Sequence, residues 1–254
     1  MPTKKELKYY ASLHKKKYRD EEKKFIVEGI KAIEEGLESN FKCEIIFVTF
    51  QFNEENVKFL YELKKKGLTI EILKNPEFQK ITDTVTPQGI AAVFLKPSFK
   101  INFINNNEPN IIICLDNVSD PGNLGTILRN CDWFGIKHIL SINNSADAYS
   151  SKAIRASMGS IFHLYIYDEN SVTTLINLRE KGYKILCADL KGKNIFDYVN
   201  KSKCVIIFSN EANGPSADIS SLIDENITIP KLGSAESLNV ASASAIILGQ
   251  LTRQ

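Results

Sequence analysis

The stretch Ile111-Ile-Ile-Cys-Leu-Asp-Asn117-Val-Ser-Asp-Pro-Gly-Asn123-Leu-Gly-Thr-Ile-Leu-Arg129 decides the fold. Its apolar start reads as a buried strand over 110–115, and Asp120-Pro121-Gly122 is a turn that drops directly into a helix over 123–134. The alternation continues to the C-terminus. Strands are expected at 137–142, 161–167, 183–189, 203–208 and 226–229, and helices at 150–158, 171–181, 216–224 and 239–251. Strands alternating with helices imply an α/β fold built on a parallel sheet. No G-x-G-x-x-G follows the first strand, so a dinucleotide-type loop is not written there. The glycines sit late, at Gly214 and Gly233, and move the expected ligand site to the C-terminal third.

The first half reads as a smaller α/β unit. Phe25 to Leu37 places apolar residues at helical spacing, and Cys43 to Phe50 is strand-like. Asn53 can cap a helix through Val57, Leu60 and Leu63 that stops at Gly67. A strand over Leu68–Leu73, a short helix opened by Pro76 and a strand over Gly89–Phe94 follow, which suggests a largely parallel sheet here too. Residues 96–110 carry two prolines and an Asn run. The expected division is therefore a first domain over 1–97, a linker over 98–109 and a second domain over 110–254.

An apolar content of 43% over 254 residues is ample for buried cores. No apolar run reaches the roughly 20 residues needed to span a bilayer, and no signal core follows Met1, so a cytoplasmic protein is expected. Cys43, Cys114, Cys131, Cys187 and Cys204 form no C-x-x-C pair and read as small buried thiols in a reducing compartment. His14, His138 and His163 are far apart, so no metal site is expected. The net charge of +2 conceals nine Lys/Arg against four acids within residues 1–24. This arm suits phosphate contact, and equally a solvated Lys-rich terminus.

Three separated motifs carry the chemistry. The first is Asn117 to Arg129, where Asn123 sits at the start of a helix, whose N-terminus attracts phosphate, and Arg129 projects from deeper in it. In the second, Ile206-Ile-Phe-Ser-Asn-Glu211-Ala-Asn-Gly214, a buried strand ends in a polar loop at the sheet edge where open parallel sheets bind ligands. The third, Ile229-Pro-Lys-Leu-Gly-Ser-Ala-Glu-Ser237-Leu-Asn239-Val, crowds polar and bending residues before a helix whose first turns are small, permitting close approach of a ligand or a crossing segment. Alone, each also reads as a turn, a cap or tight helix packing.

In order and spacing the three motifs resemble those of the SpoU (TrmH-type) RNA 2'-O-ribose methyltransferases. The resemblance implies a C-terminal SPOUT-type parallel-sheet domain with a deep trefoil knot, a homodimer, and S-adenosylmethionine as methyl donor. By position it assigns catalysis to Asn123, Arg129, Glu211, Ser237 and Asn239, and cofactor contact to Ser209, Asn210, Gly214, Ile229, Gly233 and Leu238. It implies that Arg129 is the general base; a guanidinium with a pKa above about 12 has no acceptor lone pair, so a charged donor that stabilises the developing alkoxide is the better physical reading. Ser209 and Ala212 stand where the family usually has Gly, and Lys231 where Met is common.

The basic arm, Phe25–Gly29 and Thr86–Gly89 resemble the small RNA-binding domain, similar to a ribosomal protein, that many members carry. Lys17 and Arg19 in this arm, with Lys152 and Arg155, are the expected RNA contacts. Ribosomal RNA is the leading substrate. Transfer RNA, or an RNA-binding ribosome-assembly protein without methyl transfer, are the alternatives.

Overall fold

Two sheets organise the chain. The computed structural model describes residues 2–101, 109–168, 172–199, 202–210 and 214–253. Among the described residues no helix is long and apolar enough to cross a membrane. The chain divides into two compact units, Met1–Pro97 with Tyr149–Phe162, and Ser98–Ala148 with His163–Gln254.

Before Pro97 the elements are α1 (Lys4–Ser12), α2 (Lys16–Glu22), β1 (Lys24–Glu28), α3 (Ile30–Glu38), β2 (Cys43–Thr49), α4 (Phe50–Glu55), α5 (Val57–Lys65), β3 (Ile70–Leu73), α6 (Asn75–Ile81) and β4 (Ile90–Leu95). Next come β5 (Ile111–Asp116), α7 (Pro121–Trp133), β6 (His138–Ile142), α8 (Ser151–Ser157) and β7 (Tyr165–Asp168). The last are α9 (Thr173–Glu180), β8 (Lys184–Asn194), β9 (Cys204–Ser209), α10 (Ala217–Ser220), β10 (Glu225–Thr228) and α11 (Val240–Leu251).

The first unit holds a four-stranded sheet in the order β1-β4-β2-β3. Only the β2–β3 pairing is parallel, because β4 runs antiparallel to both of its neighbours. The expected largely parallel sheet is thus corrected to a mixed one. Alternation counts strands and helices but does not give the direction in which Ile90–Phe94, buried throughout, enters the centre. Phe25 to Leu37 also divides, with Phe25, Ile26 and Val27 buried in a strand and α3 beginning only after Gly29, whose φ of 94° breaks the chain direction. The cap of α4 is Thr49, whose hydroxyl accepts from Phe52 N, and Asn53 lies inside that helix. On one side Leu7, Ile26, Phe47, Leu73 and Phe78 form a core, and on the other Phe25, Phe41, Phe94, Tyr149 and Phe162 stack edge to face or tilted. α3 reaches those rings through Gly36, where a Cβ would stand 2.6 Å from Phe94.

In the second unit a six-stranded sheet runs β10-β8-β9-β5-β6-β7, parallel throughout. Both faces are buried, as a parallel sheet requires. Ile112, Cys114, Val205, Ile207, Ile185 and Cys187 point to one core together with Leu175, Leu178 and Ile219. Ile113, Leu115, Ile206 and Phe208 are buried on the other face, where α11 packs on β9 and on α7. The six strands fall near where alternation places them, but the strand expected over 183–189 runs on to Asn194, the strand expected from 161 begins as a 3-10 turn over Ser160–His163, and the helix expected over 216–224 shrinks to α10. Four cysteines are buried and Cys43 is half-buried. Burial pushes the Cys187 thiol up to about 12 and Cys43 up to about 11, so both stay protonated at neutral pH.

Candidate active site

The order β8-β9-β5-β6 places a topological switch at the C-terminal ends of β5 and β9, where Asp116 and Ser209 are register partners. A cavity of about 480 Å³ opens beside this edge, between the middle of β8, the loop after β9 and the stretch between β10 and α11. Among its lining residues are all six expected cofactor contacts, Ser209, Asn210, Gly214, Ile229, Gly233 and Leu238, together with Ser237. Three segments distant in sequence therefore meet at one space.

The first and third motifs are joined by their amides. Asp120 caps α7 by accepting from Asn123 N at 2.8 Å, which puts Asn123 in the first turn. Asn239 caps α11, its Oδ1 accepting from Ala241 N at 2.9 Å, and its Nδ2 donates to Asn123 Oδ1 at 2.9 Å. Capping and pairing are thus performed by the two ends of one amide. Asn130 continues the seam, donating to Ala241 O and Ser244 Oγ at 2.9 Å each. Arg129 lies exposed on the same helix and is not part of the cavity wall, and Glu211 lies outside the described residues.

The space fits an adenosine-sized ligand. Its volume falls in the range of roughly 300–1,000 Å³ usual for small-molecule sites. Phe208, Leu190, Val240 and Ile247 supply apolar walls, and Asp189 and Glu236 supply carboxylates for hydroxyl or amino groups. A Cβ added at Gly214 or Gly233 meets no atom within 4 Å, so the backbone there borders open space. Ser209 is 9% exposed, and its small side chain leaves the wall intact where the family usually has Gly. Motif reading missed Ala188, Asp189 and Leu190, which lie in β8 just past its pairing with β9 and so beside the carboxyl end of β9, where ligands of parallel sheets gather.

The expected RNA contacts separate into two kinds. Lys17 and Lys152 are exposed. Arg19 is a correction: it is 3% exposed, and its Nη1 donates to Leu13 O at 2.8 Å, which holds the α1–α2 turn rather than a phosphate. Arg155 is half-exposed and paired with Asp83 at 3.3 Å, and it belongs with Lys152 to the segment that packs in the first unit. Among the described residues no cluster of His, Cys, Asp or Glu is arranged to hold a metal.

The parallel sheet, its late-loop cavity and the amide-linked helices define a methyltransferase of the SPOUT type. Residues 110–249 match the SpoU rRNA Methylase family and residues 4–92 match the MRM3-like substrate binding domain, and the chain belongs to the SpoU rRNA methylase family. It is 31% identical to the 23S rRNA (guanosine(2553)-2'-O)-methyltransferase RlmP of Bacillus subtilis, over 96% of this chain and 95% of that protein. An AdoMet-bound rRNA methyltransferase from Sinorhizobium meliloti superimposes with a TM-score of 0.85 at 26% identity, covering 98% of this chain and 95% of the other. The SpoU methyltransferase AviRb of Streptomyces viridochromogenes shares the fold, with a TM-score of 0.89 over 98% of this chain and 97% of that one. The chain is an AdoMet-dependent RNA methyltransferase by family membership.

Proposed function

We propose that the second unit binds S-adenosylmethionine in the cavity beside β9 and methylates a ribose 2'-hydroxyl of large-subunit ribosomal RNA, held in part by the first unit. The observation that carries this reading is the convergence of Ser209, Asn210, Gly214, Ile229, Gly233, Ser237 and Leu238 on one space. When bound, the donor supplies an already activated methyl group. What remains for the chain is alignment of an in-line displacement and stabilisation of a very weakly acidic hydroxyl as it loses its proton.

Backbone at Ser209, Ile229 and Leu238 borders the donor, and Asn210, Gly214 and Gly233 shape its loop. The Asn123–Asn239 pair fixes the first turn of α7 against the start of α11 and so orients the ribose side of the site. Arg129 serves as a fixed cation and donor to the developing alkoxide and adjacent phosphate, with Glu211 and Ser237 holding ribose and donor. Lys17 and Lys152 contact RNA backbone. The trefoil knot and a homodimer belong to the same reading. Trp133 on α7, 82% exposed, and Ile246 on α11, 38% exposed, support pairing with a second copy through these contacting helices.

The test is incubation of purified protein with methyl-labelled AdoMet and, separately, unmodified ribosomal and transfer RNA. Label on ribose of ribosomal RNA, lost in Arg129→Ala, is expected. Label on transfer RNA alone would overturn the substrate, and no label on either with no AdoMet binding would overturn the enzyme.

A further inference from the structure

The β5–β9 edge contains a buried carboxylate that the chemistry above does not use. Asp116, the last residue of β5, is 0% exposed. Its Oδ2 accepts from Ser216 N at 2.7 Å, and its Oδ1 accepts from Asn143 Nδ2. The same Asn143 nitrogen donates to Ser216 Oγ at 3.1 Å. Asn143 holds a left-handed φ of 55° just after β6, so its amide is delivered by a special backbone conformation. One carboxylate therefore joins the loop after β6 to the loop after β9.

A buried charge costs stability unless it is hydrogen-bonded, and an apolar residue of similar volume serves a core as well or better. A carboxylate differs from such a residue in presenting two acceptor oxygens to two donors that arrive from different loops. The loop after β9 is the one whose Ser209, Asn210 and Gly214 line the cavity. Gly214 N donates to Asn210 O at 3.0 Å, closing its two limbs on each other, and Ser216 is two residues downstream. Fixing Ser216 therefore fixes Gly214, and through it Asn210.

We propose that Asp116 is a positioning residue, holding Asn210 and Gly214 in place beside the cavity by gripping Ser216 and Asn143, so that the cavity meets its methyl donor without a further ordering cost. The inference rests on reading the cavity as the cofactor site. Asp116→Asn keeps the shape but removes the charge and offers a single acceptor, so the bond to Ser216 N weakens and the contact with Asn143 survives only if that amide turns over and gives up its bond to Ser216 Oγ. Asn143→Gly keeps the left-handed backbone and removes one donor, a milder change that leaves the carboxylate its bond to Ser216.

AdoMet binding is measured by titration calorimetry on wild type and both variants, alongside KM for AdoMet and for RNA. Asp116→Asn is expected to weaken AdoMet binding and raise its KM by roughly tenfold or more, with Asn143→Gly following in the same direction by a smaller factor. KM for RNA should stay within about twofold, a split that simple loss of folded protein does not produce. Wild type that binds AdoMet, with both variants binding equally tightly whatever their melting temperatures, overturns the positioning role. Should Asp116→Asn not fold, unchanged affinity in Asn143→Gly overturns it alone. Wild type that fails to bind AdoMet overturns the cofactor reading itself, and the inference with it.

Discussion

Replacing Asn239 by serine and, separately, by alanine divides the two jobs of its amide. The Oδ1 end caps α11 through Ala241 N at 2.9 Å and Ser242 N at 3.4 Å, and the Nδ2 end reaches Asn123 Oδ1 at 2.9 Å. Alanine loses both. The cap is worth about 1 kcal/mol, and the solvent-exposed amide pair adds about half that or less. In a chain of this size each kcal/mol moves the melting temperature by roughly 2–4 °C, so Asn239→Ala should melt about 2–6 °C lower. Serine retains an oxygen able to cap but cannot reach Asn123, so its melting temperature should stay within about 1–2 °C of wild type. The methyl-transfer rate should nonetheless fall at least about tenfold in both, because freeing Asn123 from α11 misplaces the reacting groups. Scanning calorimetry and single-turnover transfer with labelled AdoMet measure the two quantities. A serine variant with full rate would refute the idea that the amide pair aligns the site, and equal melting losses in both variants would refute the partition between cap and pair.

Gly192→Ala should fold poorly or melt well below wild type, because a Cβ there stands 2.4 Å from the Asn226 carbonyl oxygen and 2.9 Å from Ile227 N, backbone atoms that cannot rotate away. A cost of about 1–3 kcal/mol or more is expected, and a melting temperature equal to wild type would show that β8 and β10 can part freely. Arg19→Ala should lower stability by about 1–3 kcal/mol through the lost bond to Leu13 O. Lys17→Ala should leave stability alone and weaken RNA binding with a shallower salt dependence, as filter binding at two ionic strengths would show. Burial, with a smaller contribution from Lys137, holds the His138 imidazole below its ordinary value of 6.5. The unfolded chain therefore takes up this proton first, so the stability contributed by neutral His138 is complete above about pH 6.5 and is lost progressively as the pH falls below that value and through the lower folded one. His138→Gln should flatten the loss of melting temperature between about pH 7.5 and 5.5, and an unchanged slope would place the acid sensitivity elsewhere.

The strands of the second unit, the turn at Asp120-Pro121-Gly122 and the contents of the three motifs were legible because each depends on near neighbours in the chain. Apolar runs find strands, Pro and Gly find turns, and a loop after a strand end is where a parallel sheet accepts ligands. What misled was also local: Phe25 to Leu37 has helical spacing, yet Phe25, Ile26 and Val27 are claimed by a sheet and Gly29 turns the chain into α3. Arg19 shows the same limit, since charge composition cannot tell a phosphate contact from a guanidinium buried against Leu13 O.

The order of residues by itself determined which segments alternate, where the polar loops fall and which residue types the site contains. Only tertiary structure decided that β4 runs antiparallel between β1 and β2, and that residues 149–162 pack with the first unit. It also decided that Asn239 meets Asn123, and that Asp116 grips Ser216 and Asn143. The reason is physical. Periodicity reports which face of an element is apolar, whereas strand direction, amide pairing and the partners of a buried carboxylate are settled by burial and hydrogen-bond satisfaction among groups far apart in the chain.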